Sequence, residues 1–184
     1  MEGMDQLDLF PRGKLRVTLL RLSHELIEQY GDFRDTVILA LQPRGIYVGR
    51  RMRDILEALL PGQQIPYGEL DVTFFRDDFR KRSTPLQANQ TRIDFLVEGK
   101  HVLLIDDVLY TGRTIRAAMD AMLAYGRPLS VNLLVLVDRK HQRELPIEPS
   151  YSGIQVDTIE TQRVLVKLRE SGGDDQVLLV NEQG

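Results

Sequence analysis

Apolar residues recur at helical spacing through Leu15, Leu19, Leu22, Leu26, Ile27 and Tyr30, which predicts an amphipathic helix over Lys14–Tyr30 closed by Gly31. The pattern then changes. Thr36–Leu41 is a near-continuous apolar run, the pattern of a strand buried on both faces, and Pro43, Arg44 and Gly45 end it in a turn. A second helix is expected over 46–60, closed by Pro61 and Gly62, and a strand over 69–75. From Arg76 to Arg92 the chain is polar, with five basic and two acidic residues, Pro85 and no apolar period. Segments of this length in compact domains are usually lids, binding loops or disordered.

The second half repeats the alternation. A short buried strand is expected over 101–105, a turn over 106–112, a helix over 113–125 and a strand over 130–137. The stretch 139–150, with Pro146 and Pro149, reads as irregular, and short strands follow over 164–168 and 177–180, joined through Gly172 and Gly173. Strands and helices in turn, with apolar strands that do not alternate in polarity, argue for an α/β fold: a parallel sheet covered by helices.

Composition narrows the class. The chain has 184 residues, 42% hydrophobic and 28% charged, which suits one globular domain with a proper core. Its longest apolar runs are five residues, far below a membrane-spanning helix, and no apolar segment follows the acidic N-terminus, so no secretory signal is read. The absence of cysteine excludes disulfides, thiolate metal sites and a cysteine nucleophile. A net charge of −3 gives no broad footprint for nucleic acid or membrane. A soluble, cytoplasmic, single-domain protein is expected.

The chemistry is concentrated in Val102-Leu103-Leu104-Ile105-Asp106-Asp107-Val108-Leu109-Tyr110-Thr111-Gly112-Arg113-Thr114. Apolar residues carry a buried strand to its carboxyl end, where open α/β sheets place ligands. Two carboxylates follow, then a short turn and a helix start. Tyr110 to Thr114 offer successive backbone N–H groups, hydroxyls on Thr111 and Thr114, and a glycine that permits close approach: an anion cradle reinforced by the helix dipole. Asp106 and Asp107 beside such a cradle suit a sugar phosphate, accepting hydrogen bonds from ribose 2′- and 3′-hydroxyls while the cradle takes a 5′-phosphate. A capped strand-to-helix turn is the plainer reading of an isolated Asp-Asp pair. Neither a G-x-x-x-x-G-K-[ST] loop nor a G-x-G-x-x-G fingerprint is present.

The thirteen-residue run resembles the phosphoribosyl pyrophosphate (PRPP) motif of the type I phosphoribosyltransferases. Arg21-Leu22-Ser23-His24-Glu25-Leu26-Ile27-Glu28, Arg44-Gly45-Ile46-Tyr47, Gly68-Glu69-Leu70-Asp71-Val72-Thr73 with Arg76-Asp77-Asp78, Arg116-Ala117-Ala118-Met119-Asp120, and Arg143-Glu144-Leu145-Pro146-Ile147 resemble, in the same order, the PyrR family of bacterial pyrimidine-operon regulators and uracil phosphoribosyltransferases. The resemblance implies a parallel central sheet flanked by helices, with a small hood drawn partly from 139–184 and a mobile lid over 76–92, within one domain spanning 1–184. It implies transfer of phosphoribosyl from PRPP to uracil, giving UMP and pyrophosphate. Mg²⁺ is expected to be carried with PRPP, with no metal ligand from protein side chains. A homodimer or higher homo-oligomer and no membrane association are implied.

Carried over residue by residue, Arg44 and Gly45 would grip pyrophosphate, and Arg76 would open the lid and face the departing pyrophosphate. Asp106 and Asp107 would hold the ribose. Val108, Leu109, Tyr110, Thr111, Gly112, Arg113 and Thr114 would bind PRPP, and Asp138 and Arg139 would meet base and pyrophosphate. A surface turn at Arg44-Gly45, a solvated charge run after Arg76 and a turn-satisfying pair at Asp138-Arg139 are the plain alternatives. RNA-binding members of the family contact the pyr mRNA leader, for which Arg16, Arg21, His24, Lys140 and Arg143 form a candidate basic face here.

Several positions depart from the family. Pro43 stands where Thr usually precedes Arg-Gly, so that Gln42–Pro43 rather than Pro43–Arg44 gains easy access to cis. Lys140-His141-Gln142-Arg143 is one residue longer than the usual spacing. Leu20 replaces a threonine, and Gly153 to Thr158 lack the family's lysine and proline, with Ile154 and Asp157 among them. Losing a lysine and a hydroxyl removes phosphate contacts of the kind that give sequence-independent affinity, so catalysis is better supported than RNA regulation. The alternatives are a nucleotide-sensing RNA regulator with weak or no transferase activity, and a phosphoribosyltransferase for another base.

Overall fold

A computed structural model of the chain describes residues 6–11, 13–76 and 90–181. Asp77, Asp78, Pro85 and the basic run Arg80-Lys81-Arg82, most of the expected lid, lie outside the described residues. The central sheet is built from β2 (Thr36–Leu41), β3 (Tyr67–Leu70), β4 (His101–Leu109), β5 (Ser130–Lys140) and β6 (Tyr151–Asp157), in the order β3-β2-β4-β5-β6 and parallel throughout. Successive side chains point to opposite faces, and both faces are covered. Ile38, Leu103, Ile105, Leu134 and Leu136 pack toward α1 (Lys14–Tyr30) and α2 (Gly45–Leu59). Val37, Leu39, Leu41, Val102, Leu104 and Val135 pack toward α3 (Arg113–Met122). This double covering explains why the strands read as unbroken apolar runs. Among the described residues no helix is long and apolar enough to cross a membrane.

A smaller antiparallel sheet, β1 (Gln6–Asp8), β8 (Gln176–Asn181) and β7 (Gln162–Lys167) in that order, forms the hood. Val164, Val166, Leu168 and Val177 join the core on the α1 and α2 side.

The structure redraws several expected elements. The expected turn at 106–112 begins only after Leu109, because β5 is long enough to pair with Asp106, Val108 and Leu109 opposite Val135, Val137 and Asp138. The expected strand over 69–75 spans Tyr67–Leu70 instead. Beyond it, Asp71 Oδ1 accepts from the N–H and hydroxyl of Thr73 at 2.9 and 2.6 Å, and Thr73–Phe75 is one 3-10 turn. The third helix stops at Met122, with Leu123–Tyr125 tightened into a 3-10 turn before Gly126. Arg139 and Lys140, expected in an irregular stretch, continue β5, and β1 and β6 had no counterpart in the sequence reading. The Gln42–Pro43 peptide is cis.

Candidate active site

The carboxyl ends of β4 and β5 bring together most of the residues singled out in the sequence. Asp106 and Asp107 are 8% and 5% exposed, within the last four residues of β4. Each carboxylate accepts the N–H of the residue after it at 2.9 Å, Asp107 N to Asp106 Oδ1 and Val108 N to Asp107 Oδ1, which fixes both side chains against the strand. Burial, and then the Asp107 carboxylate, push the Asp106 carboxyl well above the usual carboxylate range. From α2, Gly45 presses on the pair so closely that a Cβ there would lie 2.8 Å from the Ile105 carbonyl oxygen and 3.0 Å from Asp106 Oδ1. Beside it, Arg44 Nε stands 3.0 Å from Asp107 Oδ2 as an ion pair without hydrogen-bond alignment, so this buried oxygen accepts no hydrogen bond among the described residues.

The turn after β4 forms the second part. Gly112 precedes α3 with φ of 92°, a left-handed conformation that glycine adopts without strain. The Thr111 hydroxyl accepts from Arg113 N–H at 3.3 Å, and the Thr114 hydroxyl accepts from the Arg76 guanidinium at 2.9 Å. Arg76 therefore reaches the cradle. The turn rests on the segment after β5, where the Glu144 and Leu145 N–H groups donate to the Thr111 carbonyl at 3.0 and 3.2 Å, and Arg113 pairs with Glu144 at 2.5 Å. A Cβ on Gly112 would sit 3.3–3.4 Å from Ile147 and Leu145.

The end of β5 closes the site. Asp138 is fully buried, with Arg143 on Oδ1 and Lys140 Nζ 3.1 Å from Oδ2, an oxygen that accepts no hydrogen bond among the described residues. Arg143 also donates to the Tyr110 carbonyl. Arg139, 6% exposed, lays its guanidinium 3.8 Å from the centre of the Tyr110 ring. It also donates to Thr158 Oγ1 at 3.1 Å, Gln142 Oε1 at 2.9 Å and the Gln162 carbonyl at 2.7 Å. The sequence reading gives Thr158, Gln142 and Gln162 no site role. Gln142 lies three residues from Arg139 on the same segment, whereas only the folding of the hood over β5 brings Thr158 and Gln162 to it.

The five basic candidates for RNA divide into two groups. Arg16, Arg21 and His24 are exposed on α1, and Arg21 bonds Glu25 at 2.6 Å and the Ser152 and Gly153 carbonyls of β6 at 3.0 and 3.1 Å. Leu20 on α1 and Ile154 and Asp157 on β6 thus belong to two neighbouring elements, with His141 Nε2 3.2 Å from Asp157. Lys140 and Arg143 turn toward Asp138 instead. Among the described residues no group of three or more His, Cys, Asp or Glu side chains converges as a cation site.

Residues 14–170 match the phosphoribosyl transferase domain. The chain is 42% identical over 165 residues to the bifunctional protein PyrR of Enterococcus faecalis, covering 90% of this chain and 91% of that one. It is 43% identical over 169 residues to the bifunctional protein PyrR of Halalkalibacterium halodurans, covering 90% and 92%. The chain belongs to the PyrR family. Solved hypoxanthine phosphoribosyltransferases share the fold: that of Staphylococcus aureus has a TM-score of 0.69 at 16% identity, covering 98% of this chain and 93% of that one. That of Trypanosoma cruzi has a TM-score of 0.70 at 14% identity, covering 96% and 97%. The parallel sheet with its antiparallel hood is therefore the type I phosphoribosyltransferase architecture, as the PRPP motif implied.

Proposed function

We propose that this PyrR-family chain works through the carboxyl ends of β4 and β5, with PRPP laid from the α3 cradle to Arg44 and uracil beside Asp138 and Arg139 under the hood. The observation that carries this reading is the buried Asp106-Asp107 pair on the strand that runs directly into the cradle, with Asp107 Oδ2 accepting no hydrogen bond among the described residues. Carboxylates held dry beside a helix N-terminus suit a group that is anionic at one end and hydroxylated next to it. The Thr111, Gly112 and Thr114 turn takes the 5′-phosphate; Arg76, expected from the resemblance to face the departing pyrophosphate, instead donates to Thr114 and adds positive charge at this end. Asp106 and Asp107 accept from the ribose hydroxyls and favour positive charge developing on the sugar as the bond to pyrophosphate breaks and the bond to uracil N1 forms. Arg44 stabilises the charge growing on the leaving pyrophosphate. Mg²⁺ arriving with PRPP would supply neutralisation of the pyrophosphate charge, a role that suits a cation keeping most of its own waters.

The assay that tests this is UMP formation from PRPP against a panel of pyrimidine and purine bases, with uracil expected to be used best. Preference for a purine would overturn the base assignment. We propose in addition that the chain regulates pyr operon attenuation, with the strip formed by Arg16, Arg21 and His24 on α1, continued on β6, meeting the pyr mRNA leader. A gel-shift titration with that leader, with and without UMP, is expected to show binding weakened by Arg21→Ala. Binding indifferent to Arg21 would move the RNA face elsewhere. The chain is proposed to act in the cytoplasm, and as a homodimer or higher homo-oligomer.

A further inference from the structure

A second ion cluster lies away from the reacting centre and joins the core to the hood. Arg51 sits on α2, the helix that begins at the Arg44-Gly45 turn, about 10 Å of helix further along. Its side chain is only 14% exposed. The guanidinium makes two forks. Nε and one terminal nitrogen donate to the two Glu170 oxygens, both at 2.6 Å. The two terminal nitrogens donate to the Asp175 oxygens at 2.8 and 2.7 Å. Glu170 and Asp175 belong to the connection between β7 and β8, which Arg169 N–H braces by donating to Asp175 Oδ1 at 2.9 Å. Arg51 holds both carboxyl groups below their usual range. Without its charge the two carboxylates would face each other, and a lysine could not form two planar forks.

Strand β7 is thus gripped from the core near both ends. Arg139 of β5 donates to the carbonyl of Gln162, its first residue, and Arg51 of α2 holds Glu170, three residues past its last. We propose that Arg51 is a positioning residue for the transfer reaction, registering the hood, and the base beneath it, to the helix that carries the pyrophosphate grip. This rests on the placement of base and pyrophosphate given above. PRPP, lying on core elements, should sense Arg51 little, whereas the base should sense it strongly.

The test uses the full chain with Arg51→Lys, Arg51→Gln, Glu170→Gln and Asp175→Asn, each assayed well below its melting transition. PRPP binding with Mg²⁺ is measured by calorimetry without base. The Michaelis constant for uracil is expected to rise on the order of tenfold in both Arg51 variants while PRPP affinity stays within about twofold. Glu170→Gln and Asp175→Asn should move it the same way by less, and Arg51→Gln with Glu170→Gln should be non-additive. A lowered melting temperature with unchanged uracil kinetics would make the cluster a plain strut and overturn the proposal, as would parallel loss of PRPP affinity. Should the Arg51 variants fail to fold, unchanged uracil constants in both carboxylate variants would overturn it equally. An unsubstituted chain that binds PRPP but makes no UMP would defeat the base placement itself, and the proposal with it.

Discussion

Asp106 combines two demands that pull against each other. Its carboxyl is held above the usual range by burial and by Asp107, so the folded chain binds that proton more tightly than the unfolded chain, where aspartate titrates at about 3.9. The stability this contributes is fully present below the unfolded value and is lost as pH rises through the folded one. Asp106→Asn keeps the shape and does not titrate. It is expected to melt above the unsubstituted protein at neutral pH, with the gap narrowing toward about pH 4, while turnover falls. Calorimetric melting across that range checks this, and a gap independent of pH would refute the assignment. Asp107, whose Oδ2 is ion-paired with Arg44 but accepts no hydrogen bond among the described residues, is proposed as the more direct sugar contact. Asp107→Asn is expected to lower turnover on the order of 10²–10³-fold with cooperative melting retained, and a loss under twofold would move the ribose elsewhere.

Two glycines show how elements reach the site. At Gly45 the obstacle to any side chain is backbone, the Ile105 carbonyl, so Gly45→Ala must push α2 away from β4. A destabilisation of about 1–3 kcal/mol is expected from such overpacking, together with a fall in turnover, measured by denaturant melts and the UMP assay. At Gly112 the obstacle is conformational first, because φ is positive, and steric second, against Ile147 and Leu145. Gly112→Val is expected to raise the Michaelis constant for PRPP sharply, and unchanged PRPP kinetics in a folded variant would remove the cradle from the phosphate. Elements with one clear period were legible: α1 from its leucines, and β2 from its unbroken apolar run. The continuation of β4 through Asp106 and Asp107 was not, since paired carboxylates read locally as a turn, and only the length of β5 keeps them extended. Strand β6 hid behind Pro149 and Gly153. Its glycine lets the strand pass close to α1, where a Cβ would meet the Leu136 carbonyl at 2.5 Å and the Thr18 side chain at 3.1 Å. Motif residues were legible because their chemistry is local, whereas Thr158 and Gln162 became visible only through contacts that fold a distant hood over β5.

At the scale of the whole molecule, α2 and α3 cover opposite faces of the sheet, yet both begin at the same end of it. A substrate gripped by Arg44 at one terminus and by Thr111 to Thr114 at the other must therefore straddle the sheet's rim. PRPP with Mg²⁺ at a hundredfold excess over its dissociation constant is expected to add about 2.7 kcal/mol to stability, read from the shift in melting. Hydrogen exchange should slow together at the starts of α2 and α3, and protection confined to one helix would argue against a straddling substrate. The rim would then act as a saddle: the layers on either side of the sheet would become one mechanical unit with the rider seated, and separate again when the pyrophosphate departs.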